Sequence, residues 1–412
     1  MFLSYFRYDV HHGSGAVSGA GVIQVLGSYF VHYFAPTGLK PLPKNVVFVI
    51  DVSGSMSGRK IKQTRDAMHA ILGQLRAGDS FNIVLFNAHV TQWRSNASLV
   101  TNDNIQTAKT FVNNSVRAGG STNINDALLQ ALKFLRNSAN AGSVPLVLFL
   151  TDGLPTAGET NPSKIRTNIL IANGIKASIF ALGFGFSLDF DFLRALSAEN
   201  GGIARRIYPD KDAAGQLEGF FDEISTPLLM HIRFEYPEDV VDDAKTTGVS
   251  FTQYYEGSEL VVSGKLKEGS SSRIMSVDVR GDAGSNPVPA YSVSRTLLNL
   301  TVPSDKVLIK DFTERLWAYM KIKELLVKLL VSKDASEQAQ LKAEALQMSL
   351  KYNFVTPLTS MVVVQSYGYL ETGGELERND IDGFAPSFGW KLSPDGLALL
   401  FILYFFVRFC AD

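Results

Sequence analysis

The chain has 412 residues, of which 46% are hydrophobic and 19% are charged. At ~150 residues per domain this length predicts two or three domains, and the apolar content excludes a wholly disordered chain. Lys and Arg number 39 against 40 Asp and Glu, so the basic excess that general nucleic-acid binding needs is missing. The single cysteine, Cys410, excludes an internal disulfide, a thiolate zinc site and a disulfide-stapled inhibitor module.

Neither end of this sequence predicts a membrane or export signal. Charged residues interrupt Met1–Asp9 before an apolar run forms, so we do not expect a signal peptide there. The apolar run Leu397–Val407 is well short of the ~20 residues that cross a bilayer. We therefore expect no membrane span, and we expect residues 365–412 to form an unstructured tail.

Residues 1–36 are predicted to be β, and residues 44–228 alternate between strands and helices. Gly27-Ser28 is a predicted turn between Val22–Leu26 and Tyr29–Phe34, two segments rich in β-branched and aromatic residues. The later apolar strands are Val46–Ile50, Phe81–Phe86, Leu146–Leu150 and Ser178–Leu182, with helices between them and a last helix over about Ala213–Leu228. This alternation predicts an α/β fold with a doubly wound, mainly parallel, Rossmann-like sheet covered by helices on both faces.

The pattern changes after this segment. Residues 229–303 alternate polar and apolar residues at period two, which predicts an antiparallel β unit. Residues 304–364 are predicted to form a helical segment with a final strand, Ser360–Val364. Asp334 and Glu337 mark the start of its second helix. The apolar residues of that helix are Leu341, Leu346 and Leu350.

Three polar turns follow predicted strands or precede a helix. Asp51, Ser53 and Ser55 follow the strand Val46–Ile50, Thr122 precedes a helix, and Asp152 follows the strand Leu146–Leu150. Because the carboxyl ends of parallel strands share one edge, these side chains can converge there. They offer carboxylates and hydroxyls without thiol or imidazole, which suits Mg²⁺, Mn²⁺ or Ca²⁺. Hydroxyl-rich coordination leaves an ion electrophilic, so we expect a partner's carboxylate as its last ligand.

At these positions the sequence resembles the metal-ion-dependent adhesion site of von Willebrand factor A domains, whose signature is Asp-x-Ser-x-Ser, a downstream Thr and Thr-Asp-Gly after a buried strand. The resemblance implies that the hydroxyls of Ser53, Ser55 and Thr122 bind the ion. It also implies that Asp51 and Asp152 act on the ion directly or through water.

Over about residues 1–364 the sequence also resembles the inter-alpha-trypsin inhibitor heavy chain family. The segments that carry this resemblance include Lys44–Asp51, Ser53–Ile61, Glu314–Tyr319 and Tyr352–Val363. The resemblance implies a secreted, non-enzymatic plasma or matrix protein that associates with hyaluronan and with a separate protease-inhibiting light chain. In such a protein the sequons at Asn96, Asn113 and Asn299 are expected on surface loops, open to glycosylation.

The sequence also departs from that family. Members begin with a signal peptide and a complete N-terminal β domain, of which residues 1–36 resemble only the last strands. Members carry an Asp-Pro pair whose Asp esterifies a glycosaminoglycan, and this sequence has no Asp-Pro. Residues after about 365 do not resemble the family. We therefore expect a fragment or an aberrant transcript product.

Two other functions stay open. A metal-dependent hydrolase or phosphatase would use Asp51 as its nucleophile, although no acid/base partner occurs at a usable spacing. A direct serine protease inhibitor is the second, although one cysteine cannot build the disulfide-rich inhibitory module.

Overall fold

A computed structural model describes residues 21–138, 142–209, 211–268, 274–284, 286–296 and 312–359 of the chain. The predicted strand Ser360–Val364, the predicted tail 365–412 and the sequon at Asn299 lie outside these residues.

The described residues form fifteen strands and eight helices. In chain order the strands are β1 (Val22–Leu26), β2 (Tyr29–Phe34), β3 (Lys44–Asp51), β4 (Ser80–Phe86), β5 (Val90–Gln92), β6 (Ser98–Leu99), β7 (Val144–Thr151), β8 (Ser178–Phe184), β9 (Ala204–Ile207), β10 (Pro227–Glu235), β11 (Val241–Asp242), β12 (Ser250–Tyr255), β13 (Leu260–Leu266), β14 (Ile274–Ala283) and β15 (Asn286–Thr296). The helices are α1 (Arg59–Gln74), α2 (Asn102–Ser115), α3 (Ile124–Asn137), α4 (Pro162–Ala172), α5 (Phe190–Glu199), α6 (Ala213–Ile224), α7 (Phe312–Val331) and α8 (Ala335–Tyr352). Short 3₁₀ turns occur at Gly54–Met56 and Asp243–Lys245.

The central sheet has the strand order β5-β4-β3-β7-β8-β9, with β6 also paired to β4. Strands β4, β3, β7, β8 and β9 are parallel, whereas the short strands β5 and β6 are antiparallel to β4. The prediction of a doubly wound, mainly parallel sheet is confirmed. Every residue of β3 is buried, as expected for a strand that has a neighbour on each side and helices on both faces.

Alternate side chains of β3 enter two separate apolar cores. Phe48 and Ile50 pack in a core that includes side chains of α1, α2 and α6. Val47 and Val49 pack in a core that includes side chains of α3, α4 and α5. Because successive strand residues point to opposite faces, one apolar run supplies both cores and holds its carboxyl end in a fixed place.

A second layer combines two antiparallel sheets, β1-β2-β13-β11 and β12-β10-β14-β15. Their apolar faces share one core that includes Phe30 and Phe34 from β2, Ile232 and Phe234 from β10, and Val262 from β13. The antiparallel pairing predicted for residues 229–303 is confirmed for the part of that segment that the structure describes. The pairing of β2 with β13, which joins the first strands to a segment more than two hundred residues later, was not foreseen.

The helix over residues 213 onward is shorter than the prediction. It ends at Ile224, and Leu228 lies in β10, which begins at Pro227. The proline has no N–H to donate within a helix, and its ring disfavours helical backbone at Thr226. The prediction that the helix continues to Leu228 is thus wrong, because the effect of the proline on the backbone outweighs the apolar spacing.

Two helices follow the β layer, as predicted. Trp317 of α7 donates from Nε1 to the carbonyl oxygen of Lys245 at 2.6 Å, and its ring lies 5.1 Å from that of Tyr29. The Asp334 side chain accepts from the backbone N–H groups of Ser336 and Glu337, which confirms the predicted start of α8. Among the helices that the structure describes, none is both long and apolar enough to cross a membrane.

Candidate metal centre

The three polar turns meet at the carboxyl edge of the central sheet. Strands β3 and β7 are parallel neighbours, with Ile50 opposite Leu150, so they bring Asp51 and Asp152 to the same edge. The turn that holds Thr122 is joined to the β3 turn by a hydrogen bond from Gly54 N to Gly120 O of 2.9 Å. The structure thus brings together the five residues predicted from the sequence, and their role as metal ligands stays a prediction.

Asp51 is completely buried and has a hydrogen-bond partner on each carboxylate oxygen. Its Oδ1 accepts from Ser53 N at 2.8 Å, and its Oδ2 accepts from Thr151 Oγ1 at 2.5 Å. Burial raises the pKa of the Asp51 carboxyl, the hydrogen bonds from Ser53 and Thr151 act to lower it, and the charge of Asp152 raises it further. A buried carboxylate whose charge is only partly offset favours a nearby cation.

The hydroxyls of Ser53 and Ser55 form a chain of hydrogen bonds that ends at Asp152. Ser53 Oγ and Ser55 Oγ are 3.0 Å apart, and Ser55 Oγ donates to Asp152 Oδ1 at 2.7 Å. A hydroxyl that gives its proton to a carboxylate keeps its oxygen lone pairs for another acceptor role. Ser53 and Asp152 are buried while Ser55 is exposed, so the group opens to solvent on the Ser55 side.

Thr122 is held by the loop that follows β7. Its backbone N–H donates to Thr156 Oγ1 at 2.8 Å, and its carbonyl oxygen accepts from Thr156 N at 2.9 Å. A Cβ atom added to Gly153 would lie 3.5 Å from Ser55 Oγ and 3.9 Å from Thr122 Oγ1. The two hydroxyls therefore flank the same small space, which the glycine leaves open.

The turn before Thr122 depends on a glycine with a left-handed backbone. Gly120 has a φ of +84°, and a Cβ there would lie 3.3 Å from Asn87 Nδ2. That same Nδ2 donates to the carbonyl oxygen of Gly119 at 2.8 Å, and Gly119 N donates to Val52 O at 2.8 Å. These hydrogen bonds and the left-handed glycine together fix the position of the Thr122 turn relative to β3.

Two residues of this site were given no role from the sequence. Thr151 follows Leu150 in the register, and its hydroxyl donates to Asp51. Lys60, in the first turn of α1, forms an ion pair with Asp152 Oδ2, and its Nζ lies 3.4 Å from Ser55 O. The Thr-Asp-Gly motif marks the position of Thr151 but not its contact with Asp51, whereas no short motif marks Lys60.

The donor set fits a hard divalent cation. Within the described parts of the chain, no group of three or more His, Cys, Asp and Glu side chains is placed to hold a metal. Hydroxyls would therefore complete the ligand set around Asp51 and Asp152. Oxygen ligands alone suit Mg²⁺ or Mn²⁺ better than zinc or copper.

The sequons differ in their surroundings. Asn96 is exposed between β5 and β6, as expected of a surface loop. Asn113 is also exposed, but it lies in the last turn of α2 and not on a loop, and its Oδ1 is 2.8 Å from His69 Nε2. The loop prediction is wrong for Asn113 because the helical segment Asn102–Ser115 was not recognised.

Comparison with known proteins supports the fold and the family. The profile of the von Willebrand factor type A domain matches residues 45–223, which span the central sheet and its helices. The chain is 45% identical to the human protein "Inter-alpha-trypsin inhibitor heavy chain H4" over 365 residues, which cover 87% of this chain and 38% of that protein. It is 43% identical to the mouse heavy chain H3, with 87% and 40% covered. This chain is an inter-alpha-trypsin inhibitor heavy chain homologue with a von Willebrand factor A domain.

The heavy-chain resemblance inferred from the motifs is confirmed, and the chain spans 38–40% of the length of these relatives. Among solved structures, a von Willebrand factor type A protein from Catenulispora acidiphila superposes with a TM-score of 0.56 at 14% identity. The superposition covers 82% of this chain and 85% of that one. At this identity the likeness supports the fold alone.

Proposed function

We propose that this heavy-chain homologue is a non-enzymatic adhesion module that holds Mg²⁺ or Mn²⁺ at the carboxyl edge of its central sheet. Ser53, Ser55 and Thr122 would supply hydroxyl ligands, and Asp51 and Asp152 would hold the ion directly or through water. The observation that carries the proposal is the convergence of two buried carboxylates with these hydroxyls, open to solvent beside Ser55.

The charge balance of this site favours an acidic partner. Neutral hydroxyls form most of the proposed ligand set. Where Asp51 and Asp152 act through water, their charges lie farther from the ion and offset its charge less. An ion in this setting attracts a further oxygen anion, and the carboxylate of a protein partner supplies one. We therefore propose a protein ligand that presents an Asp or Glu side chain to the exposed side of the site.

The burial of Asp51 argues against the hydrolase alternative. A nucleophilic carboxylate must reach its substrate, yet Asp51 has no exposed surface, and each of its oxygens already accepts a hydrogen bond. These contacts suit a carboxylate that stays in place and offers charge, so the geometry favours binding over covalent catalysis.

The family relationship adds broader proposals. By resemblance to heavy chains, we propose that the whole protein is secreted and works beside hyaluronan and a separate serine protease inhibitor light chain. The exposed positions of Asn96 and Asn113 are compatible with glycosylation after secretion.

Calorimetric titration of Mg²⁺ and of Mn²⁺ tests the metal site. The wild type is expected to bind one ion, and Asp51→Ala and Thr122→Ala are expected to lose most of that affinity. Asp66→Ala is the matched control for Asp51→Ala, since Asp66 is an exposed aspartate of α1 outside the motif. Far-UV circular dichroism checks that each variant is folded. Equal metal affinity in all four proteins would refute the site, and the adhesion proposal with it.

A further inference from the structure

Lys60 places a cation of the protein itself inside the proposed metal centre. Its Nζ pairs with Asp152 Oδ2, and the side chain of Asp152 has no exposed area while that of Lys60 keeps 28%. The other oxygen, Asp152 Oδ1, accepts from Ser55 Oγ at 2.7 Å. Both oxygens of this carboxylate are therefore engaged within the protein, one by a hydroxyl and one by an ammonium.

A divalent ion beside Asp152 competes with this ammonium for the same negative charge. The two cations repel each other, and low solvent exposure strengthens the repulsion. Lys60 can leave, because its charge sits on a flexible four-carbon stem that already reaches solvent. The neighbouring cations of α1, Arg59 and Lys62, are exposed, whereas Lys60 is partly buried in its pair with Asp152.

We propose that Lys60 is an exchangeable counter-cation of this site. In the metal-free protein its ammonium neutralises Asp152 and stabilises the loops around it. When Mg²⁺ or Mn²⁺ binds, the ammonium gives up Asp152 and moves toward solvent. Lys60 thus weakens metal binding and keeps the empty site assembled. The proposal rests on the proposed metal site and concerns a residue outside the five predicted ligands.

Substitution of Lys60 is expected to increase the affinity for metal and not to reduce it. Lys60→Met removes the competing charge, so we expect the variant to bind Mn²⁺ more tightly than the wild type. The wild type must break a charge-assisted hydrogen bond before the ion binds, and the variant does not. This difference corresponds to on the order of tenfold higher affinity in the variant. The metal-free variant is expected to melt at a lower temperature, because two buried carboxylates then lack a counter-charge. Saturating Mn²⁺ should therefore raise its melting temperature more than that of the wild type.

The experiment is calorimetric titration of Mn²⁺, with thermal melts at zero and saturating Mn²⁺, on the whole chain. Lys62→Met is the matched control: it makes the same chemical change on the exposed surface of α1. Lys60→Arg keeps the charge and should stay near the wild type in affinity. If Lys60→Met is too unstable to study, Lys60→Gln removes the same charge and keeps a hydrogen-bond donor.

The outcomes separate this inference from the proposed function. Tighter Mn²⁺ binding by Lys60→Met or Lys60→Gln, with Lys62→Met unchanged, supports the exchange. Wild-type binding with equal or weaker affinity in the Lys60 variants overturns the exchange alone and leaves the metal site standing. Lack of binding by the wild type and by every variant overturns both.

Discussion

At the scale of single residues, the site depends on hydrogen bonds that position each oxygen before any ligand arrives. Asp51 is fixed by Ser53 N and by the hydroxyl of Thr151, and Thr122 is fixed by Thr156. The sequence predicted which oxygens would gather here, because the motif marks residue types at strand ends. It could not predict Lys60, because that contact depends on how a long side chain folds back from α1.

Gly120 provides a stability test at this scale. Its φ of +84° is costly for any residue with a Cβ, so Gly120→Ala should lower the free energy of unfolding by about 1–2 kcal/mol. Gly119→Ala is the control, because a Cβ there meets no atom within 4 Å and the backbone is not left-handed. Urea denaturation measures both. A loss as large in Gly119→Ala as in Gly120→Ala would contradict the account.

Thr151 provides a second test. Thr151→Val keeps the shape of the side chain but removes the donor to Asp51 Oδ2. A buried carboxylate that loses one partner should cost about 1–3 kcal/mol of unfolding free energy. Thermal denaturation of the metal-free protein measures this loss. An unchanged melting temperature would show that Thr151 does not support Asp51.

At the scale of elements, the central strands were predictable and several edges were not. The run Val46–Ile50 indicates a strand buried on both faces, and β3 is such a strand. Strands β5 and β6 are too short to give a pattern, so they were missed. In α8 the buried residues are Ala345, Ser349 and Tyr352, while Leu350 is 62% exposed. Packing against α7 decides which face of α8 is buried, and hydrophobicity alone predicts the wrong face.

Strand β3 offers the element-scale prediction. Val49 is fully buried between β4 and β7, so Val49→Asp would bury an unpaired carboxylate and cost about 3–5 kcal/mol or more. Thr91→Asp, on the exposed edge strand β5, should change stability by less than about 0.5 kcal/mol. Soluble yield and chemical denaturation compare the two. Equal stability would refute the central position of β3.

At the scale of the whole molecule, contacts between distant segments join the layers. Arg166 of α4 forms a two-pronged ion pair with Glu199 of α5, and its Nη2 also donates to Val331 O, at the end of α7, at 2.9 Å. Within the second layer, the pairing of β2 with β13 joins the first strands to a segment more than two hundred residues later. Neither could be predicted from local patterns, because each depends on residues far apart in sequence. The domain boundaries proposed from composition stay predictions.

The Arg166 ion pair can be tested with a double-mutant cycle. Arg166→Met leaves Glu199 charged and nearly buried, which should cost about 3–5 kcal/mol of unfolding free energy. Adding Glu199→Gln removes that stranded charge, so the double variant should lose clearly less than the sum of the single losses. Additive losses, measured by urea denaturation, would mean that the pair does not couple α4 to α5.

The central claim is that one divalent ion binds among Ser53, Ser55 and Thr122. Anomalous X-ray diffraction from crystals soaked in Mn²⁺ tests this claim most directly, since the ion's position is then observed. We expect one strong anomalous peak within coordination distance of these three hydroxyl oxygens, with Asp51 and Asp152 beside it. A fully soaked crystal without a peak at this edge, or with its only strong peak elsewhere, would contradict the account.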